Sequence, residues 1–377
     1  MDLCASGLGA TIVRFTMPRK APVRFPFLLL ALSLLVPVRA VAKEQNNFTY
    51  GPLPVFELHS GFWINLHHTL YHEAKLRTTA AQPEKSAKTS GPTLKASPDA
   101  KPVLTTAEQH TWDDAVAYYA TNYAAKDLLF STELTQLKDQ LGDFEDCDEL
   151  SGRKRKFCDA GLPAKLTQVL EAAAPVYRAH LWPEHDRANR RWIMRVAPLV
   201  QEQGVGLSER LADIYQTRWP REKIRVDLTG YANWTGAYTT ADPLRVTISS
   251  LDSRNQGSEA LEVLFHEGSH GIAEPVQAAI IRECRQRDKA IPRDLWHALV
   301  FYTTGEVIRP VLGSSGEADG TQDGNVPGGG YTPYALREGL YQRGWNDYFK
   351  LLQKFWQPYL DGTASFDDAI ARMVSSL

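Results

Sequence analysis

The stretch LFHEGSH, residues 264–270, decides how this chain is read. On an α-helix, positions four apart lie nearly one above the other, so His266 and His270 can turn their imidazoles toward one ion. Glu267 is rotated about 100° from His266 and can reach a metal-bound water without being a ligand. That is the physical content of the H-E-x-x-H spacing: two nitrogens for zinc, and one carboxylate base for its water.

The flanks support a helix at this point. Ser258 is a candidate N-cap, Glu259 and Glu262 suit a first turn, and the helix must end near Gly271 or before Pro275. Two β-branched runs precede it, KIRVDLT (223–229) and LRVTISSL (244–251), separated by a segment that closes on the turn signal Asp242-Pro243. A second strong helix is expected over RDLWHALVFYTTGEVI, 293–308.

A catalytic zinc usually takes a third protein ligand and keeps one position open. Glu274 lies about 12 Å along the axis from His266, so the three side chains cannot converge from one straight helix. A third histidine six residues past His270 is excluded, because that place is Val276. The next helix offers Glu306 and His297, nine residues apart and therefore on opposite faces, so only one can point at the pair. Glu306 is favoured, since an acidic side chain inside so apolar a run needs a partner. His297 is the alternative.

LFHEGSH followed by a glutamate on a downstream helix resembles the gluzincin branch of zinc metallopeptidases, the thermolysin-like group, over about 223–340. The resemblance implies ligands His266, His270 and Glu306, with Glu267 as general base. It also implies an edge strand before the metal helix that binds extended substrate through its backbone. GAYTT (236–240) is similar in order and placement, which makes Gly236, Ala237 and Tyr238 the expected substrate-binding positions. Around Glu306 the family's N-E-x-x-S-D is not matched, because Thr304-Gly305 precede it and Arg309-Pro310 follow. Tyrosine hydroxyls suit the developing oxyanion, and Tyr331 and Tyr334, after the glycine-rich stretch 313–330, are the candidates.

The rest of the chain frames this site. At 377 residues, with 43% hydrophobic and 23% charged, it is globular in composition, and a net charge of −2 gives no nucleic-acid signature. Residues 1–42 read as a signal peptide: a basic lead, an apolar run from Phe25 to Val38, and Ala40-Val41-Ala42 as cleavage signal. Residues 1–16 stand outside that logic, with Met17 as the more natural start. The expected location is therefore periplasmic or secreted, with no membrane attachment after cleavage. Cys147 and Cys158 read as a disulfide, and Cys284 as an unpaired, partly buried thiol.

A helix is expected over 55–77 within an N-terminal segment 43–80, then a flexible linker 81–104, then a helical region 105–217. His68 and His72 form a rival i,i+4 pair in the first helix, read as packing. The expected architecture is α+β and predominantly α, with a zincin-like catalytic domain and a small sheet over 218–377 behind the N-terminal helices. The expected function is zinc-dependent hydrolysis of a peptide or protein substrate. A non-catalytic exported binding protein, or a zinc hydrolase of a non-peptide amide, are the alternatives.

Overall fold

Side-chain alternation along two strands sets the architecture. In β2 (Ile224–Thr229) and β4 (Leu244–Ser249), Ile224, Val226, Leu228, Val246 and Ile248 are buried on one face, while Arg225, Asp227, Arg245 and Thr247 turn to the other. The computed structural model describes residues 53–80, 103–313 and 330–377, and the expected signal peptide lies outside them, as do 81–102 of the linker and 314–329 of the glycine-rich stretch. Among the described residues no helix is long and apolar enough to cross a membrane.

Four strands form one mixed sheet in the order β1-β2-β4-β3, with β1 (Phe56–His59) and β3 (Ala237–Ala241) at the edges. β1 pairs parallel with β2, β2 parallel with β4, and β3 antiparallel with β4 across the two-residue turn Asp242-Pro243. The helix expected over 55–77 thus splits. Phe56–His59 is strand and α1 runs Phe62–Ala80, because the FELH segment finds a parallel partner far away in sequence at Ile224–Asp227.

The other helices follow in chain order. They are α2 (Thr106–Asn122), α3 (Thr132–Asp143), α4 (Ala164–His180) and α5 (Trp182–Ile214), then α6 (Glu259–Ser269), α7 (Glu274–Gln286) and α8 (Leu295–Gly313). A short α9 (Tyr334–Arg337) leads into a helical run that closes with α12 (Phe366–Ser375), after α10 (Asn346–Leu351) and α11 (Gln357–Leu360). The chain is mainly helical with a small mixed sheet, as its patterns predict.

Each face of the sheet has its own cover. The apolar face shares a core with α5, α6, α7, α8 and the C-terminal helices. Phe56 of β1 belongs to it, set edge-on to Phe265 of α6. The polar face is covered by α1 and α3, and its charges are paired there. Arg225 holds Asp227 and Glu145, Arg245 holds Asp143, and the fully buried Lys138 donates to Thr240 and sits 2.9 Å from Asp139. Burial without such partners would cost several kcal/mol per charge. Helices α1 to α4 enclose a second apolar cluster around Trp63, Leu70, Tyr119, Leu137 and Tyr177. The cores cross the divisions expected at 80 and 217: β1 and α5 belong with the C-terminal half, and the described residues fall within one compact unit. Cys147 and Cys158 are disulfide-bonded, and Cys284 is buried and free.

Candidate metal centre

Helix α6 lies between the apolar face of the sheet and helices α5 and α8, and every residue from Ala260 to Ser269 is buried. Ser258 precedes it without making a side-chain cap bond. The first-turn acids act elsewhere than at the helix end: Glu259 pairs with Arg337, and Glu262 accepts from Tyr331 and Tyr334. Gly268 inside the motif has a packing reason, since a Cβ there would stand 2.9 Å from the Trp219 ring and 3.2 Å from Phe56. His270 follows the last helical residue with helical backbone angles (φ −57°, ψ −31°), so the i,i+4 relation to His266 holds.

α8 runs antiparallel to α6. Gly305 faces Glu262, the Phe301 ring stacks on His266 at 3.7 Å, and His297 meets both His266 and His270. The three imidazoles converge through the same atom. His266 Nε2 lies 3.3 Å from His270 Nε2 and 3.3 Å from His297 Nε2, and all three ligand atoms lie within 4.8 Å of one another. Nitrogens bound tetrahedrally to zinc at 2.0–2.1 Å stand about 3.3–3.4 Å apart, which the two separations from His266 match. His266 Nε2 carries either one N–H or one lone pair, so hydrogen bonding between the rings accounts for one of its two 3.3 Å contacts but not for both. Among the described residues this is the one grouping of three or more His, Cys, Asp or Glu side chains that comes together so closely.

Burial holds the rings neutral, leaving lone pairs for a metal. Desolvation lowers the pKa of His270 to about 3 and that of His297 to about 4, and it takes His266 well below the usual imidazole value. Trp296 packs against His270 and His297, and Trp345 against His297, so an aromatic wall flanks the cluster on the α8 side.

The third member corrects the sequence expectation. Glu306 is not at the cluster: its carboxylate takes Arg309 Nη2 at 2.5 Å, one turn along α8. Nine residues separate it from His297, about 13.5 Å along the axis and half a turn round it. The acidic side chain needed a partner, and the partner is an arginine.

Glu267 stands outside the ligand group. It is buried, and the Thr239 hydroxyl of β3 donates to its Oε2 at 2.6 Å. Desolvation raises its pKa to about 7, with the Thr239 bond acting the other way. Thr239 was missed by the sequence reading, although alternation from Ala237 places it on the α6 side.

The other expected positions are arranged differently. Tyr238 turns to the opposite face, buried, with its hydroxyl 3.0 Å from His68 Nε2. The Gly236 carbonyl accepts from Ser249 N–H and from the Asn255 side chain, so it is already engaged within the fold. Strand alternation turns the backbone groups of Ala237 and Thr239 to the unpaired edge of β3, where the Ala237 carbonyl already accepts from the Thr235 hydroxyl. The Tyr331 hydroxyl is bound to Glu262 at 2.6 Å rather than aimed at the histidines, and Tyr334 stacks on Phe301. The rival histidines are packing residues: His68 is held by Ile64 and Tyr238, and His72 stacks on Tyr231 at 3.9 Å.

Gly305 is the close approach that lets α8 reach α6. A Cβ there would stand 2.6 Å from Pro333 Cβ and 3.2 Å from Glu262 Oε1. Gly305→Ala is expected to destabilise the fold by about 1–3 kcal/mol, the usual cost of overpacking. A urea midpoint equal to wild type would show that the interface yields freely.

No family model matches the chain, and neither a curated protein nor a solved structure matches it.

Proposed function

We propose that this chain is an exported zinc-dependent hydrolase acting on peptide bonds, with His266, His270 and His297 as ligands and Glu267 as general base. The observation that carries the reading is the convergence of three neutral Nε2 atoms beside a buried carboxylate that is not one of them. Bound there, zinc would lower the pKa of a water to around 7 and polarise a carbonyl.

The protein's own groups supply the rest. Glu267 stands next in sequence to His266 and is oriented by Thr239, and burial raises its pKa above the usual carboxylate range, which strengthens it as a base. The free edge of β3 lies beside α6 and offers backbone groups to an extended chain, which favours peptide over small amides. An antiparallel edge strand next to the motif helix also supports the zincin-like reading of the fold. The third ligand departs from the gluzincin pattern, since three imidazoles leave the ion's double charge uncompensated where a glutamate would remove one unit. The disulfide supports an oxidising, exported setting.

Zinc content of the purified protein, followed by a peptide-library screen with Glu267→Gln as control, tests this. About one zinc per chain is expected, with hydrolysis lost and zinc retained in Glu267→Gln. A wild type that takes up no zinc even on reloading sinks the proposal. Zinc without hydrolysis of any peptide would leave a binding protein.

A further inference from the structure

We infer that Glu262 is the acceptor for the His266 Nδ1–H and so a positioning residue for the metal centre. The inference rests on the metal reading above and assigns a role to a residue outside the ligand set and the base.

Of the buried polar atoms on α6 and α8 without a hydrogen-bond partner, which include Ser269 Oγ, Thr304 Oγ1 and Arg309 Nε, two are Glu262 Oε1 and His266 Nδ1. They belong to residues one turn apart on α6, and both side chains face α8: Glu262 Oε1 toward Gly305, the His266 ring on Phe301 four residues earlier. A neutral imidazole whose Nε2 lone pair serves a metal must carry its proton on Nδ1. That proton is inside the protein, where leaving a hydrogen bond unmade is costly. The unpartnered carboxylate oxygen one turn away is the matching acceptor. No net proton moves: the bond fixes the tautomer, sets the ring's orientation and raises the basicity of Nε2.

The other oxygen of Glu262 has a separate task. It accepts from the Tyr331 hydroxyl at 2.6 Å and from the Tyr334 backbone N–H at 2.9 Å. One carboxylate thereby ties the 331–334 segment to α6. A purely structural account would give Glu262 that tie alone, and the two roles separate by substitution.

Zinc affinity, measured by competition with a chromophoric chelator on the full chain, is expected to fall about 10–100-fold in Glu262→Gln. Gln cannot accept on one oxygen from Tyr331 and Tyr334 and on the other atom from His266. Tyr331→Phe loosens the tie but keeps both carboxylate oxygens, and it is expected to stay within about threefold of wild type. Long-range 1H–15N spectra of the zinc-loaded wild type give the readout that a structural tie would not move. They are expected to show a protected proton on His266 Nδ1, absent in Glu262→Gln.

Unchanged zinc affinity in Glu262→Gln, or a freely exchanging Nδ1 proton in wild type, overturns the inference while leaving the metal centre standing. Should Glu262→Gln not fold, the wild-type spectrum alone decides. A wild type that binds no zinc removes the proposed function, and the inference with it.

Discussion

His297→Ala is expected to empty the metal centre, while Glu306→Ala leaves it filled. His297 Nε2 lies 3.3 Å from His266 Nε2, and the Glu306 carboxylate is engaged by Arg309. Removing one of three ligands leaves two nitrogens on one helix, which hold an ion weakly and with no fixed geometry. The loss should exceed the roughly 10–100-fold that follows from disturbing a ligand's outer partner alone. Glu306→Ala removes a partly exposed ion pair on the far side of α8 and is expected to cost under about 1 kcal/mol of stability. Zinc per chain after dialysis against a weak chelator reads both variants at once. Retention by His297→Ala with loss by Glu306→Ala would restore the gluzincin ligand set and overturn the three-histidine centre.

What the sequence disclosed about this site and what it concealed divide along one line, the distance over which information acts. His266, Glu267 and His270 are set by the pitch of one helix, so their spacing was legible. His297 is 31 residues from His266 and arrives by the antiparallel register of α6 and α8, which no local periodicity encodes. An acid in an apolar run needs a partner, and for Glu306 that partner is Arg309, at i+3 on the same helix. The same limit hid β1: FELH carries no helix-breaking residue, and only its parallel pairing with Ile224–Asp227 makes it a strand. Alternation did determine that Tyr238 and Thr239 face opposite ways. Which of them met the motif helix depended on the side of the sheet that α6 occupies, a tertiary fact.

Acidification of the metal-free protein from pH 7.5 to 5.5 is expected to remove several kcal/mol of stability. Burial lowers the pKa of His68, His72, His185 and His297 to about 4 and of His270 to about 3, with His67 and His266 also well below normal. Each of these rings binds a proton more readily unfolded, near 6.5, than folded. Their contribution is therefore complete above the unfolded value and is lost as pH falls from about 6.5 toward the folded value. At pH 5.5 that is about 1–2 kcal/mol for each ring at 4 or below, roughly 7 kcal/mol for the five. Glu262 and Glu267 act in the opposite sense. Burial raises both to about 7, so they bind protons more readily folded and add about 2 kcal/mol each over the same interval. The histidines outweigh them, and the deficit is large against a total stability of about 5–15 kcal/mol. Urea midpoints of zinc-free protein at pH 7.5, 6.5 and 5.5 should fall stepwise. Zinc-loaded protein should resist longer, because three of the rings would then have to release the ion before taking up protons. Constant or rising midpoints in the zinc-free series would mean that the buried histidines reach solvent or a proton acceptor, and the dry, neutral ligand set argued for the centre would fail with them.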